Sequence, residues 1–226
     1  MSESGLLALV GGNEWTDGCT FDTTLLAASG GLEVVVLPTA AAYQHPERVA
    51  LRAAEWFGSM GASVEGLMVL DRASAEDPGM ANVIRQARFV YVAGGSPLHL
   101  KSVLKNSAAL SALREAWAGG AVLAASAAGA MALTDPMVDP RGGALTLGLG
   151  LVDQLAVIPQ FGDEAEEGQK LARTVALAPA GLPVVLIPER TALLRTGAGA
   201  WSYEGVGVPT VYVDGTPSEG VGALSR

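Results

Sequence analysis

Short apolar runs recur along the chain, several of them closed by glycine or proline and followed by a stretch with helical spacing. The runs at 6–10 (LLALV), 33–37 (EVVVL), 64–70, 89–93 (FVYVA) and 121–125 are too short for buried helices and are mostly apolar, as strands covered on both faces are. Between them, segments 20–28, 47–60, 75–86, 97–104 and 108–118 have helical composition, and in 47–60 Ala50, Ala53, Phe57 and Met60 share one face while Glu47, Arg48, Arg52 and Glu55 hold the other. Strands alternating with helices predict parallel βαβ units and an α/β sandwich of three layers with a mostly parallel sheet. After residue 180 the rhythm changes. Runs at 184–187, 191–195, 201–205 and 210–213 are separated only by Pro- and Gly-rich turns, so antiparallel strands are expected to close the sheet's edge.

No stretch of the 226 residues reads as an interdomain linker, so one domain over 1–226 is expected. The net charge of −9 repels phosphate backbones and anionic lipid, which argues against nucleic-acid or membrane partners. One cysteine, Cys19, excludes an internal disulfide and a multi-cysteine metal site, and no cofactor or metal is expected. The first apolar run is short and lacks a basic segment before it, and 121–133 is interrupted by Ser126 and Gly129, so a cytosolic protein is expected.

In open α/β sheets the chemistry collects beyond the carboxyl ends of the strands. Two such ends stand out: Gly94-Gly95-Ser96 after the run at 89–93, and Ser126-Ala127-Ala128-Gly129 after 121–125. The second passes from strand through small residues into a helix, the layout of a nucleophile elbow, and Gly129 fits the small position two residues after the nucleophile. That puts Ala127 where the nucleophile belongs.

AGGSPLHL, SAAGAM, DPMVDPRGG followed by LGLGLV, VIPQFGDEAEEGQKLAR and IPERTALL occur in this order across nearly the whole chain. Together they resemble the serine peptidase family of dipeptidase E and cyanophycinase, whose fold is related to class I glutamine amidotransferases. The resemblance implies that the nucleophilic serine falls on Ala127 and the general-base histidine on Gln160. It implies an acid at Asp135, with Asp139 behind it, oxyanion-hole amides at Gly95 and Ala128, and an acidic residue at Glu189. An amidotransferase would need cysteine at 127.

An alanine methyl cannot attack a carbonyl, and glutamine cannot take a proton at physiological pH. Loss of both predicts a catalytically degenerate homologue that keeps a pocket for a small acidic peptide or amino-acid ligand. A single inactivating replacement of serine would leave a histidine at 160, so Gln160 favours native loss. Two other readings stand beside this one: a peptide or isopeptide hydrolase that is inactivated or works through another nucleophile, and a non-catalytic partner subunit. Homo-oligomers fit either non-catalytic case. Ser126, next to the elbow position, is the substitute nucleophile to consider, although a one-residue shift along a strand turns a side chain to the opposite face. His99, Ser96, Gly94 and Gly129 are expected around the pocket, with Arg173 and Arg141 as cations for a ligand carboxylate. Tyr43 is a further candidate for the cleft's border. His45 reads as loop, and the acids at Asp163, Glu164, Glu166 and Glu167 as a solvated helix start.

Overall fold

The computed structural model describes residues 4–160 and 164–224. In chain order the elements are β1 (Leu7–Val10), α1 (Phe21–Ser29), β2 (Glu33–Leu37), α2 (Pro46–Ser59), β3 (Ser63–Gly66), α3 (Arg72–Ala75) and α4 (Pro78–Gln86). Then come β4 (Phe89–Val92), α5 (Pro97–Leu104), α6 (Ala108–Ala118), β5 (Val122–Ser126) and α7 (Ala128–Leu133). Four two-residue strands follow, β6 (Thr134–Asp135), β7 (Met137–Val138), β8 (Leu145–Thr146) and β9 (Val152–Asp153), and then β10 (Ala156–Pro159) and α8 (Glu164–Leu177). The chain finishes with β11 (Val184–Ile187), β12 (Thr191–Arg195), β13 (Trp201–Gly205), β14 (Thr210–Val213) and β15 (Thr216–Glu219).

Seven strands form the main sheet in the order β13-β12-β1-β5-β4-β2-β3. The five from β1 to β3 run parallel, while β12 and β13 are antiparallel to their neighbours. The short apolar runs work because both faces of this sheet are covered. Alternate residues go opposite ways: Leu7, Leu9, Val90, Val92, Leu123 and Ala125 join one core, and Ala8, Val10, Phe89, Tyr91, Val122 and Ala124 the other. Ile84, Leu100, Leu104 and Leu113 from α4, α5 and α6 cover the first face. Phe21, Leu25 and Phe57 from α1 and α2 cover the second. This is the three-layer, mostly parallel α/β sandwich that the pattern predicts.

The expected antiparallel edge is made by β12 and β13 alone. β11 and β14 lie instead in a second, four-stranded sheet ordered β10-β11-β14-β15, in which β11 is parallel to β10. Helix α8 links those two strands and supplies the crossover that a parallel pair needs. The strand expected at 64–70 stops at Gly66. β3 is an edge strand paired only with β2, and β2 ends at Leu37 before Pro38, so the ladder has nothing further to bond after Leu67 N–H meets Val36 O at 2.9 Å. Leu67 and Val69 are buried all the same.

Candidate active site and its lost chemistry

The carboxyl ends of β1, β4, β5 and β10 converge on a cleft of about 500 Å³, a size suited to a small ligand. Ala127 lies at its floor, held at φ 46° and ψ −114°, outside the regions alanine prefers. Two backbone hydrogen bonds fix it there: Ala127 N–H donates to Val10 O (2.9 Å), and Ala127 O accepts from Met131 N–H (3.0 Å). The small residue at 129 has a steric cause, since a Cβ on Gly129 would lie 2.6 Å from the Val92 carbonyl oxygen. Gly95, at φ 143°, is squeezed likewise, with the Ala40 carbonyl oxygen 2.3 Å from where its Cβ would be. The sharp strand–turn–helix of a nucleophile elbow is therefore complete, and it presents a methyl group.

Gly94, Gly95, Ala127 and Ala128 all line the cleft. Gln160, half-buried, follows Pro159 at the end of β10, and Pro159 and Ile158 contribute to the wall. Its backbone is fixed on both sides: Gln160 N–H donates to Ile187 O and Gln160 O accepts from Gly12 N–H, each at 2.8 Å. Gly12 also accepts from Arg190 N–H, which draws Glu189 toward the same corner. There Asn13 Nδ2 donates to Glu189 Oε2 at 2.6 Å.

Several expected participants stand elsewhere. Asp135 is not in the cleft wall; its Oδ1 accepts Gly148 N–H at 3.2 Å and its strand pairs with β9. Asp139, the second choice for that role, does line the cleft. Both of its oxygens take hydrogen bonds from the Arg141 guanidinium, which hold its carboxyl down at about 2. Arg141 is thereby committed to Asp139, and Arg173 on α8 passes close to Gly142 rather than into the cleft wall. Ser96 caps α5, its Oγ accepting His99 N–H. The His99 ring meets Leu70 O at 2.9 Å through Nε2 and packs its edge against exposed Tyr43, away from the cleft. Asp163 lies outside the described residues, and Glu164, Glu166 and Glu167 fall in the first turn of α8.

Ser126 faces away from Ala127. It is fully buried on the opposite side of the sheet, with its hydroxyl beside that of Tyr91. Alternation along β5 sends Ser126 the same way as Ala124 and Val122, so it cannot reach a substrate in the cleft. Burial and the nearby Asp22, Glu14 and Cys19 push the Tyr91 hydroxyl well above its ordinary range. Burial also raises Asp22 to about 7, although Trp56 Nε1 donates to its Oδ2 at 2.8 Å.

Sequence reasoning overlooks six charged or polar residues of the cleft wall: Asn13, Glu14, Thr16, Gln44, Arg52 and Lys170. The first two follow Gly11-Gly12 at the end of β1, so the strand-end rule applied to the first strand finds them. Arg52 belongs to the charged face of α2, and nothing local distinguishes it from Arg48. Among the described residues no group of three or more His, Cys, Asp or Glu is arranged to hold a metal ion.

The model of peptidase family S51 matches residues 7–202. The chain belongs to that family. Two relatives named cyanophycinase, from Synechococcus elongatus and from Thermosynechococcus vestitus, are each 28% identical over 184 residues, which is 76% of this chain. The chain spans only 56% of the length of those relatives. A crystal structure of a peptidase from an acI-B1 Actinobacterium superposes with a TM-score of 0.84 at 23% identity, covering 96% of this chain and 93% of that one. A putative peptidase E from Listeria monocytogenes EGD-e gives 0.68 at 18% identity, over 90% of this chain and all of the other. At these identities the two structures establish the shared fold, and the family-model match establishes the S51 membership. This chain has alanine at 127, between β5 and α7, and glutamine at 160, just after β10.

Proposed function

We propose that this S51 homologue binds a small acidic peptide-like ligand in the elbow cleft without hydrolysing it. The observation that carries this reading is the strained Ala127 itself. A left-handed, non-glycine backbone of this kind costs on the order of 1–3 kcal/mol. Here it surrounds a side chain that can neither attack nor be activated, in a cleft with room for a dipeptide. The amides of Gly95 and Ala128 stand beside it, where the family resemblance puts the oxyanion hole, and suit a carbonyl or carboxylate oxygen. With a methyl at 127 and an amide at 160, binding is what such a cleft can still do. Rescue by Ser126 finds no support, because that hydroxyl is on the far side of the sheet.

The test pairs calorimetry with turnover on Asp-X and Glu-X dipeptides and β-aspartyl-arginine. The chain as it stands is expected to bind at least one of them and release it uncut. In the Ala127→Ser/Gln160→His variant the new hydroxyl attacks the peptide carbonyl and its proton passes to the introduced imidazole. That proton then goes to the leaving amine, and water frees the acyl group. Measurable hydrolysis by the variant alone is the expected result; turnover by the unmodified chain overturns the reading, as does binding of no peptide.

A further inference from the structure

Opposite the backbone turn at Gly94-Gly95, the cleft has a charged wall built from two distant parts of the chain. Glu14 comes from the turn after β1, where Asn13 (φ 57°) and Trp15 (φ 59°) on either side are both left-handed without being glycine. Arg52 comes from the middle of α2. Its Nη2 donates to Glu14 Oε1 at 2.9 Å, and its guanidinium lies 5.4 Å above the centre of the Trp15 ring. The Glu14 side chain is 9% exposed and that of Arg52 54% exposed, so the carboxylate is sealed beneath while much of the guanidinium remains open. Both residues line the same cleft as Ala127.

We propose that Arg52, oriented by Glu14 and the Trp15 ring, is the residue that recognises a carboxylate on the ligand. The inference rests on the peptide-binding reading above and assigns its acidic specificity to this residue rather than to Arg141 or Arg173. A guanidinium has five N–H donors in a rigid fork, and Glu14 Oε1 occupies one nitrogen, so further donors remain for a planar carboxylate. Ordering a long side chain is a usual cost of binding, and here the underlying carboxylate and the indole face have already met it. Glu14 and Asp139 offset Arg52 and Lys170 in the same cleft, so no excess of positive charge favours a dianion such as a phosphate monoester, and a singly charged carboxylate is the fitting partner. That carboxylate belongs either to an acidic side chain or to the peptide's C-terminus.

Calorimetric titrations with Asp-Leu, Asn-Leu, Asp-Leu amide and Asn-Leu amide separate these sources, using the chain as it stands, Arg52→Gln, Arg52→Lys and Glu14→Gln. Arg52→Gln is expected to weaken binding of peptides that carry the recognised carboxylate at least tenfold while leaving the carboxylate-free Asn-Leu amide unaffected. If the recognised group is the side chain, Asp-Leu amide shows the loss and Asn-Leu does not; if it is the C-terminus, the two exchange. Arg52→Lys keeps the charge without the fork and should recover only part of the affinity. Glu14→Gln should weaken the same peptides by releasing the guanidinium. Equal loss for peptides with and without a carboxylate, or no loss, overturns the assignment to Arg52 while the cleft reading stands. Failure of every peptide to bind the unmodified chain overturns both.

Discussion

At position 127 an alanine occupies backbone angles that a residue without a Cβ adopts at no cost. Removing the methyl should relieve that strain, so Ala127→Gly is expected to raise stability by about 1 kcal/mol, read as a higher urea midpoint at unchanged slope. An unchanged or lower midpoint would show that the elbow is not strained. Asp22 makes a second prediction at this scale. Its carboxyl is fully buried, one oxygen lacks a partner among the described residues, and burial lifts it from an ordinary 3.8 to about 7. Between those values the folded chain keeps a proton that the unfolded chain releases. The stabilisation is therefore complete below about pH 4 and disappears as pH rises through 7. Asp22→Asn keeps an acceptor for Trp56 and carries no charge, so its advantage should grow from pH 4 to 8 and reach up to about 4 kcal/mol. Thermal melts across that range check it, and parallel curves for the two proteins would refute it.

The element that decides the site is the turn from β5 into α7. It works because Gly129 lets the first turn of α7 pass against the Val92 carbonyl at the end of the neighbouring β4. Gly129→Val should force the two apart and cost about 2–4 kcal/mol, seen as a lower thermal midpoint and loss of any peptide binding. Much of this was legible in the sequence, for a physical reason. A strand buried on both faces is apolar throughout, and an elbow admits only small residues, so both leave local marks. Asp135 shows the opposite case. Its Oδ1 accepts Gly148 N–H across thirteen positions, a contact that no local pattern encodes. Glu189 and Asn13 meet at the cleft corner from opposite ends of the chain, and Arg52 reaches Glu14 across 38 positions. Side-chain partners of this kind follow from topology, which periodicity does not carry.

Across the whole molecule, two apolar layers cover the faces of the main sheet, and no helix among the described residues is long and apolar enough to cross a membrane. The second sheet is where the expectation of a single antiparallel edge fails: α8 intervenes between β10 and β11, so these pair in parallel and swing the end of the chain into a separate layer. The order of the main sheet has a further consequence, for how the protein is made. β1 sits between β5 and β12 and so lacks one neighbour for more than a hundred residues of synthesis and the other until residue 195 appears. At about 5–20 residues per second, on the order of ten seconds or more separates β1 from the strand that covers its last edge. Four residues, Leu-Ala-Leu-Val, are a short adhesive surface to leave waiting through that interval, and chains truncated before residue 191 should be captured by chaperones far more than the 226-residue chain.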